Sequence, residues 1–257
     1  MPEKSSKQSP GAKAGYWYES TRPLAGLVFV APMLIVYELG VLLLDHQAIR
    51  NAADVWLRQI LDLIGFSQYF LLPLLTCGLL LAWHHVTHQP WRLNWSVLYG
   101  MLFESLVFGF ALVLVAGWQR TLFSAAIPAC AANAGGAGDY LALMVGYLGA
   151  GIYEELLFRL VLLSAAVGLL RLSGISPRWS AVTAVIVTSV LFSGAHYQID
   201  FTFAGHHFTT SYGEIFNWYS FSFRFFAGVC FSALFVFRGF GIAAGTHATY
   251  DLFTLVF

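Results

Sequence analysis

Residues 24–44 read LAGLVFVAPMLIVYELGVLLL, a run of 21 residues in which Glu38 is the one charged side chain. A helix needs about 20 mainly apolar residues to cross the hydrocarbon core of a bilayer. The run is too long for the apolar core of a signal peptide, and no small-residue cleavage site follows it. We therefore expect it to remain in the protein as a first membrane-spanning helix.

The composition of the whole chain agrees with a membrane protein. Of its 257 residues, 58% are hydrophobic and 10% are charged, whereas a soluble domain carries about 25% charged residues. So few charges could not cover a water-facing surface, but a helix in lipid needs an apolar exterior. The formal net charge is zero, so we expect the lipid bilayer as a partner and no nucleic acid.

The apolar runs predict an all-α, polytopic transmembrane bundle of about seven to eight helices. The predicted spans are 24–44, 68–86, 96–117, 140–170, 179–196, 216–238 and 240–257. The fourth is too long for a simple span, so it either projects from the membrane or breaks near Gly168. Residues 53–66 have an amphipathic helical pattern, and we expect them to lie on the outer membrane surface, with a re-entrant eighth element as the alternative.

The distribution of Lys and Arg predicts a cytoplasmic N-terminus, because positive charge accumulates in cytoplasmic segments. With that orientation the cytoplasmic segments hold Lys4, Lys7, Lys13, Arg22, Arg92, Arg171, Arg178 and Arg238, and the outer loops hold Arg50, Arg58 and Arg120. We expect a multi-pass protein of the bacterial cytoplasmic membrane. Its one membrane domain comprises a polar cytoplasmic tail (1–23), N-terminal helices (24–139, ending in an Ala/Gly-rich outer loop from Ala125 to Gly138) and a C-terminal region (140–257).

Ionisable side chains inside spans are costly and are tolerated where they pair, line a wet cavity or take part in chemistry. Most of them fall in the second half of the chain, which predicts the position of the site. They are Glu38, Glu104, Glu154, Glu155, Arg159, Arg224, His247 and Asp251, with His196 at a span end. For Glu38 and Glu104 we favour a structural role, and for Arg224 we expect a partner among Asp251, Glu38 and Glu104.

Helical spacing predicts which of these side chains share a face. Glu155 lies four residues before Arg159, and His247 lies four residues before Asp251, so each pair shares one helix face. Glu154 points elsewhere and lacks a countercharge, which suits a general base. These groups could activate water through Glu154 and stabilise an oxyanion, or they could serve as zinc ligands.

The remaining histidines and cysteines give weaker indications. The group His84, His85 and His88 has no carboxylate or Cys nearby in the sequence, so we interpret it as interfacial. His206 and His207 lie in a long outer loop without Lys or Arg; we favour no site there, with contact to a substrate or a metal as the alternative. The three cysteines (Cys77, Cys130 and Cys230) have no metal-ligand or disulfide pattern, so we interpret them as packing residues.

At the C-terminal residues the sequence resembles the CPBP intramembrane proteases, which include the type II CAAX prenyl endopeptidases and the bacterial Abi-type proteins. Glu154-Glu155-x-x-x-Arg159 is similar to the EExxxR motif of that family. Phe192-x-x-x-His196 is similar to its FxxxH motif, and His247-x-x-x-Asp251 to its HxxxN/D motif. The three motifs occur in the family's order over residues 140–257.

This resemblance implies a glutamate-dependent intramembrane endopeptidase, a hydrolase that cleaves a membrane-associated peptide or protein. Glu154 with His196 would activate water, and His247 with residue 251 would form the oxyanion hole. Glu155, Arg159, Arg224 and Phe192 are the expected supporting residues, and no metal is expected. Where the eukaryotic prenyl proteases have Asn, this chain has Asp251, which must be protonated, orient His247 or pair with Arg224. The alternatives are a zinc-dependent protease, a proton-coupled transporter and a non-catalytic scaffold or immunity protein.

Overall fold

A computed structural model describes residues 15–44, 50–66, 69–123, 137–198, 200–203, 206–209 and 213–257. The α-helices are α1 Tyr16–Ser20, α2 Pro23–Leu44, α3 Ala52–Leu63, α4 Leu71–Val86, α5 Trp95–Leu122, α6 Ala137–Glu155, α7 Ser164–Leu172, α8 Pro177–Gly194, α9 Trp218–Arg238 and α10 Phe240–Phe253. A π-helix, π1, connects α6 to α7 over Leu156–Leu163. The expected helical bundle is therefore confirmed.

Three helices, α2, α5 and α9, are long and apolar enough to cross a bilayer, and α4 is a shorter apolar helix. Large apolar side chains cover the outside of the bundle, including Leu43 and Phe103. An apolar exterior of this extent is suited to lipid rather than to water. All seven expected spans correspond to helices of the structure.

The long fourth span is continuous and does not break near Gly168, so that alternative is wrong. α6, π1 and α7 follow one another without interruption from residue 137 to residue 172. The departure from α-helical geometry instead begins directly after Glu155. Single stretches of π-helix are frequent at functional sites, and this one lies within the first of the three motifs.

The short helix α10 occupies the centre of the bundle and packs against α2, α5, α6 and α9. Every residue from Phe240 to Ala248 is buried. Its glycines and alanines permit very close approach: a Cβ at Gly241 would lie 2.7 Å from the Cα of Gly26, and a Cβ at Gly151 of α6 would lie 2.7 Å from the Cβ of Ala248. Small residues at such crossings let helix backbones approach closely in membranes.

The amphipathic segment forms α3, whose N-cap residue Asn51 accepts a hydrogen bond from the backbone N–H of Asp54. The helix packs against α6, and Asp54 is fully buried, where it accepts a hydrogen bond from Tyr37 of 2.6 Å. Arg58 of α3 reaches inward and pairs with Glu38 at 3.2 Å. Glu38 thus has a structural role, and its partner is Arg58 rather than Arg224.

Glu104 is likewise held within the bundle, by residues at the end that carries α1. Arg238 donates hydrogen bonds of 2.6 Å to both carboxylate oxygens of Glu104, and the Tyr16 hydroxyl donates a third, also of 2.6 Å. Segment 1–23 is therefore not a tail throughout, because α1 packs against α5. Residues 1–14 and 124–136, which include all three lysines and most of the expected Ala/Gly-rich loop, lie outside the described residues.

The loop after α8 contains a β-hairpin, which the sequence did not predict. Strands β1 (Asp200–Phe203) and β2 (His206–Thr209) pair in antiparallel register. A short parallel bridge between Tyr197 and Glu214 closes the base of the loop. This loop begins at His196 and so adjoins the residues of the second motif.

The close approach of α6 to α10 predicts the effect of adding a methyl group at Gly151. We expect Gly151→Ala to destabilise the protein by about 1–3 kcal/mol, because the new Cβ would overlap the α10 backbone. The matched control is Gly168→Ala in α7, where no atom lies within 4 Å of the new Cβ. Unfolding in mixed detergent measures both variants, and equal stability of the two would contradict the packing described above.

Candidate active site

The first motif places two adjacent carboxylates in different surroundings. Glu155 is fully buried, and its Oε1 lies 3.0 Å from Nη1 of Arg159. The expected ion pair is therefore present. The guanidinium of Arg159 lies over the Phe192 ring, 4.2 Å from its centroid, and donates a hydrogen bond of 3.3 Å to the Gly228 carbonyl. Phe192 thus contributes a wall of the pocket that holds this charge.

His247 of α10 is fixed by the same carboxylate. Its Nδ1 lies 2.8 Å from Oε1 of Glu155, and its ring stacks on Phe231 at 4.6 Å with an interplanar angle of 13°. Because an ionised carboxylate only accepts hydrogen bonds, Nδ1 of His247 carries a proton. The other nitrogen, Nε2, consequently faces the second carboxylate of the motif, Glu154.

His196 lies just beyond the end of α8 and has a complementary arrangement. Its Nδ1 lies 2.8 Å from the carbonyl oxygen of Phe192, which can only accept, so Nδ1 is the donor. In the neutral ring Nε2 is then an acceptor. It lies 3.6 Å from Oε2 of Glu154.

Glu154 Oε2 is the point at which the three motifs meet. It lies 3.6 Å from Nε2 of His196 and 3.8 Å from Nε2 of His247. Asp251 completes the group, with Oδ2 at 3.5 Å from Nε2 of His247. The Glu154 oxygen is buried and has no hydrogen-bond partner within the described part of the chain. Separations beyond 3.5 Å between polar groups are those that a water molecule bridges.

A cavity of about 1260 Å³ reaches this group. Its inner end is lined by aromatic side chains, among them Phe158 and Phe231, and its outer part by residues at the ends of α3, α6 and α9, such as Asn51, Asp139 and Tyr219. Those ends lie on one side of the bundle. The sequence placed His196 at the end of a span; in the structure α8 ends at Gly194 and His196, just beyond it, lines the same cavity as Glu154.

Arg224 also lines the cavity, but our prediction of its ion-pair partner is wrong. Its guanidinium pairs with Glu214 through hydrogen bonds of 2.7 and 3.0 Å, and not with Asp251, Glu38 or Glu104. Glu214 was missed because it lies in the loop between motifs, where spacing along a helix gives no information. Arg224 is therefore not the ion-pair partner of Asp251. Two of the three expected roles of Asp251 are left, namely to be protonated or to orient His247.

Two tyrosines of the cavity wall, Tyr147 and Tyr250, were also missed. Tyr147 lies seven residues before Glu154, two helical turns away on the same face, so the period could have indicated it. Tyr250 directly precedes Asp251 on α10.

The other histidines lie away from this group or outside the described side chains. His84 is fully buried, with its ring edge-on to Trp91 at 4.7 Å. His206 and His207 lie in β2, but their side chains are not among those described. Across the described residues, no group of three His, Cys, Asp or Glu side chains is arranged to hold a metal ion. Cys77 and Cys230 are free and half-buried, and Cys130 lies outside the described residues.

Helices and site together define an integral membrane protein with carboxylates and imidazoles gathered in a cavity. The model of the family described as type II CAAX prenyl endopeptidase Rce1-like matches residues 136–253. This region, somewhat under half of the chain, is therefore similar to that family of proteases, and the match contains all three motifs. No curated protein matches the chain. No solved structure matches it either.

The contrast between the two adjacent glutamates predicts different costs of neutralising them. We expect Glu155→Gln to lower the free energy of unfolding by about 3 kcal/mol, because it leaves the buried Arg159 without its countercharge. We expect Glu154→Gln to change stability by less than about 1 kcal/mol, since its Oε2 forms no hydrogen bond to lose. Detergent unfolding followed by circular dichroism measures both, and a larger loss for Glu154→Gln would contradict this assignment.

Proposed function

We propose that the protein is a glutamate-dependent intramembrane endopeptidase that hydrolyses a peptide bond of a membrane-associated protein or peptide. One observation carries the proposal: Oε2 of Glu154 faces Nε2 of both His196 and His247 inside a cavity. The match to a family of membrane proteases supports the same class of reaction.

In the proposed reaction a water molecule lies between Glu154 and His196. It donates one hydrogen bond to the Glu154 carboxylate and the other to Nε2 of His196, which accepts because Nδ1 is committed to the Phe192 carbonyl. As the water oxygen attacks the carbonyl carbon, its proton passes to Glu154. A base in hydrogen-bond reach of the attacking water contributes roughly 10²–10⁴-fold to the rate.

The oxyanion that forms on the peptide carbonyl requires a donor, and His247 supplies one. With Nδ1 bonded to the Glu155 carboxylate, a protonated His247 directs its Nε2–H into the space between Glu154 and Asp251. When the tetrahedral intermediate collapses, the proton held by Glu154 passes to the departing amide nitrogen, which leaves as an amine while the carbonyl fragment leaves as a carboxylic acid.

The lining of the cavity supports a proposal for the substrate. Its aromatic inner end suits apolar side chains next to the scissile bond, and its polar mouth suits the part of the peptide that leaves the membrane. With the N-terminus in the cytoplasm, as the Lys and Arg distribution favours, this mouth opens towards the outer side. The proposed substrate is therefore a membrane-associated peptide with an apolar stretch at the cleavage position.

Loss of the Glu154 carboxylate separates the peptidase from its alternatives. We expect purified wild type to cleave members of a membrane-peptide library, and Glu154→Gln to cleave the same peptides at least 100-fold more slowly, because the general base is missing. The control is Asp62→Asn, the same chemical change at an exposed position of α3 outside the cavity. Mass spectrometry of the products measures both rates.

A parallel reaction with a chelator tests the zinc alternative, in which the imidazoles and carboxylates bind a metal. The glutamate-dependent mechanism requires cleavage to persist there, and its loss would support zinc instead. Equal cleavage by Glu154→Gln and wild type would refute the proposed mechanism. If folded wild type cleaves no peptide, transport or scaffolding becomes the better interpretation of the buried charges.

Two substitutions at Asp251 test its part in the oxyanion hole. We expect Asp251→Ala to lower kcat about 100-fold, within the range for loss of one oxyanion-hole contributor. We expect Asp251→Asn to stay within about tenfold of wild type, because an amide can donate a hydrogen bond directly to the oxyanion. If Asn proves as damaging as Ala, the required feature is the negative charge beside His247 and not a donor.

A further inference from the structure

The backbone of His196 is held by a segment distant in sequence. His196 lies past the last residue of α8, and its carbonyl oxygen accepts a hydrogen bond of 2.8 Å from the backbone N–H of Glu214. The Gln198 N–H in turn donates a hydrogen bond of 2.9 Å to the Glu214 carbonyl. Gly213 permits this close approach, since a Cβ there would lie 2.7 Å from the carbonyl carbon of Tyr197.

The side chain of Glu214 is anchored to α9. Arg224 donates one hydrogen bond to each of its carboxylate oxygens, a two-pronged arrangement stronger and more directional than a single contact. These hydrogen bonds hold the pKa of the Glu214 carboxyl below its usual range, so the pair is ionised at neutral pH. Arg224 also contacts Tyr197, with Nη1 at 3.4 Å from its hydroxyl oxygen.

The two side chains of this pair differ in their exposure to solvent. Glu214 is 57% exposed whereas Arg224 is 21% exposed, so the pair joins a partly buried arginine of the cavity wall to a glutamate of the loop. Neither side chain is within hydrogen-bond distance of Glu154 in the structure. Their effect on the site passes through the backbone of the loop to which His196 belongs.

We propose that the Glu214–Arg224 pair holds His196 in place against Glu154, which makes both residues positioning residues of the active site. The expected effect on catalysis rests on the proposed function. The effect on the position of His196 does not, because it concerns only the loop that carries this residue. The 3.6 Å separation between His196 and Glu154 suits one bridging water. A misplacement of about 1 Å in such a geometry can cost on the order of 100-fold in rate.

Hydrogen exchange tests the placement without any need for catalysis. The backbone N–H groups of Gln198 and Glu214 report on the two bonds that hold the loop, in purified protein reconstituted in nanodiscs. We expect their exchange to be at least tenfold faster in Glu214→Gln and in Arg224→Gln, and to return to within threefold of wild type in the exchanged pair Glu214→Arg/Arg224→Glu. The matched control is Glu19→Gln, which removes an ion pair with Arg22 at the opposite end of the bundle and should leave both amides unchanged.

Kinetics test the consequence for the reaction. We expect each single variant to lower kcat about tenfold with KM within twofold of wild type, and the double variant Glu214→Gln/Arg224→Gln to be no worse than either single, because the two residues act as one unit. The exchanged pair should recover most of kcat. A higher KM with unchanged kcat would overturn the proposal, since it would mean that the pair contacts the substrate.

The two measurements separate the failure of one proposal from the failure of the other. Unaltered exchange at Gln198 and Glu214 in both single variants overturns the positioning role, whatever the protein cleaves. Faster exchange in the single variants, together with no cleavage by wild type, supports the placement of His196 by this pair and refutes the peptidase assignment.

Discussion

The arrangement of the site depends on the burial of one carboxylate, Glu155. A charge in the interior of a membrane protein is tolerated when it is paired, and Glu155 is paired through Oε1, which contacts Arg159 on one side and His247 on the other. Because these partners come from π1 and α10, a single charge fixes one helix against the other. The same contact sets which nitrogen of His247 faces Glu154, so a structural requirement also determines the protonation pattern of the site.

That contact is possible only because α10 approaches its neighbours so closely. Gly241 and Gly245 bring the α10 backbone against α2 and α5, and Gly151 does the same from α6. A larger residue at any of these positions would push His247 away from the glutamates. Glycine within a helix costs stability, and here close packing of the central helix offsets that cost. The small residues around the third motif are therefore needed to position His247 at the site.

The sequence predicted the helices well because apolar runs and helical spacing are local, periodic signals. Seven apolar runs appear as helices, and the pair Glu155 and Arg159 is found at its helical spacing. It did not predict the partners of long side chains. Arg58, placed outside the membrane by its position in the sequence, reaches 3.2 Å from Glu38, and Arg224 pairs with a loop residue. An arginine can reach several helices from one position, so only the fold decides which carboxylate it meets. The start of π1 after Glu155 has no sequence signal that we recognise.

The buried carboxylates divide according to how well their oxygens are satisfied. Glu104 accepts hydrogen bonds on both oxygens from Arg238 and Tyr16. Both of its oxygens are therefore held by structural partners. Glu154 has an oxygen that is buried, unbonded within the described residues, and faced by two imidazole nitrogens. Glu155 also keeps one buried oxygen, Oε2, without a hydrogen bond among the described residues, so an unbonded oxygen alone does not distinguish the two glutamates. What distinguishes Glu154 is that its unbonded oxygen lines a cavity and lies 3.6 and 3.8 Å from the two imidazole nitrogens, separations that a water molecule bridges, and the proposed reaction rests on that geometry rather than on burial alone.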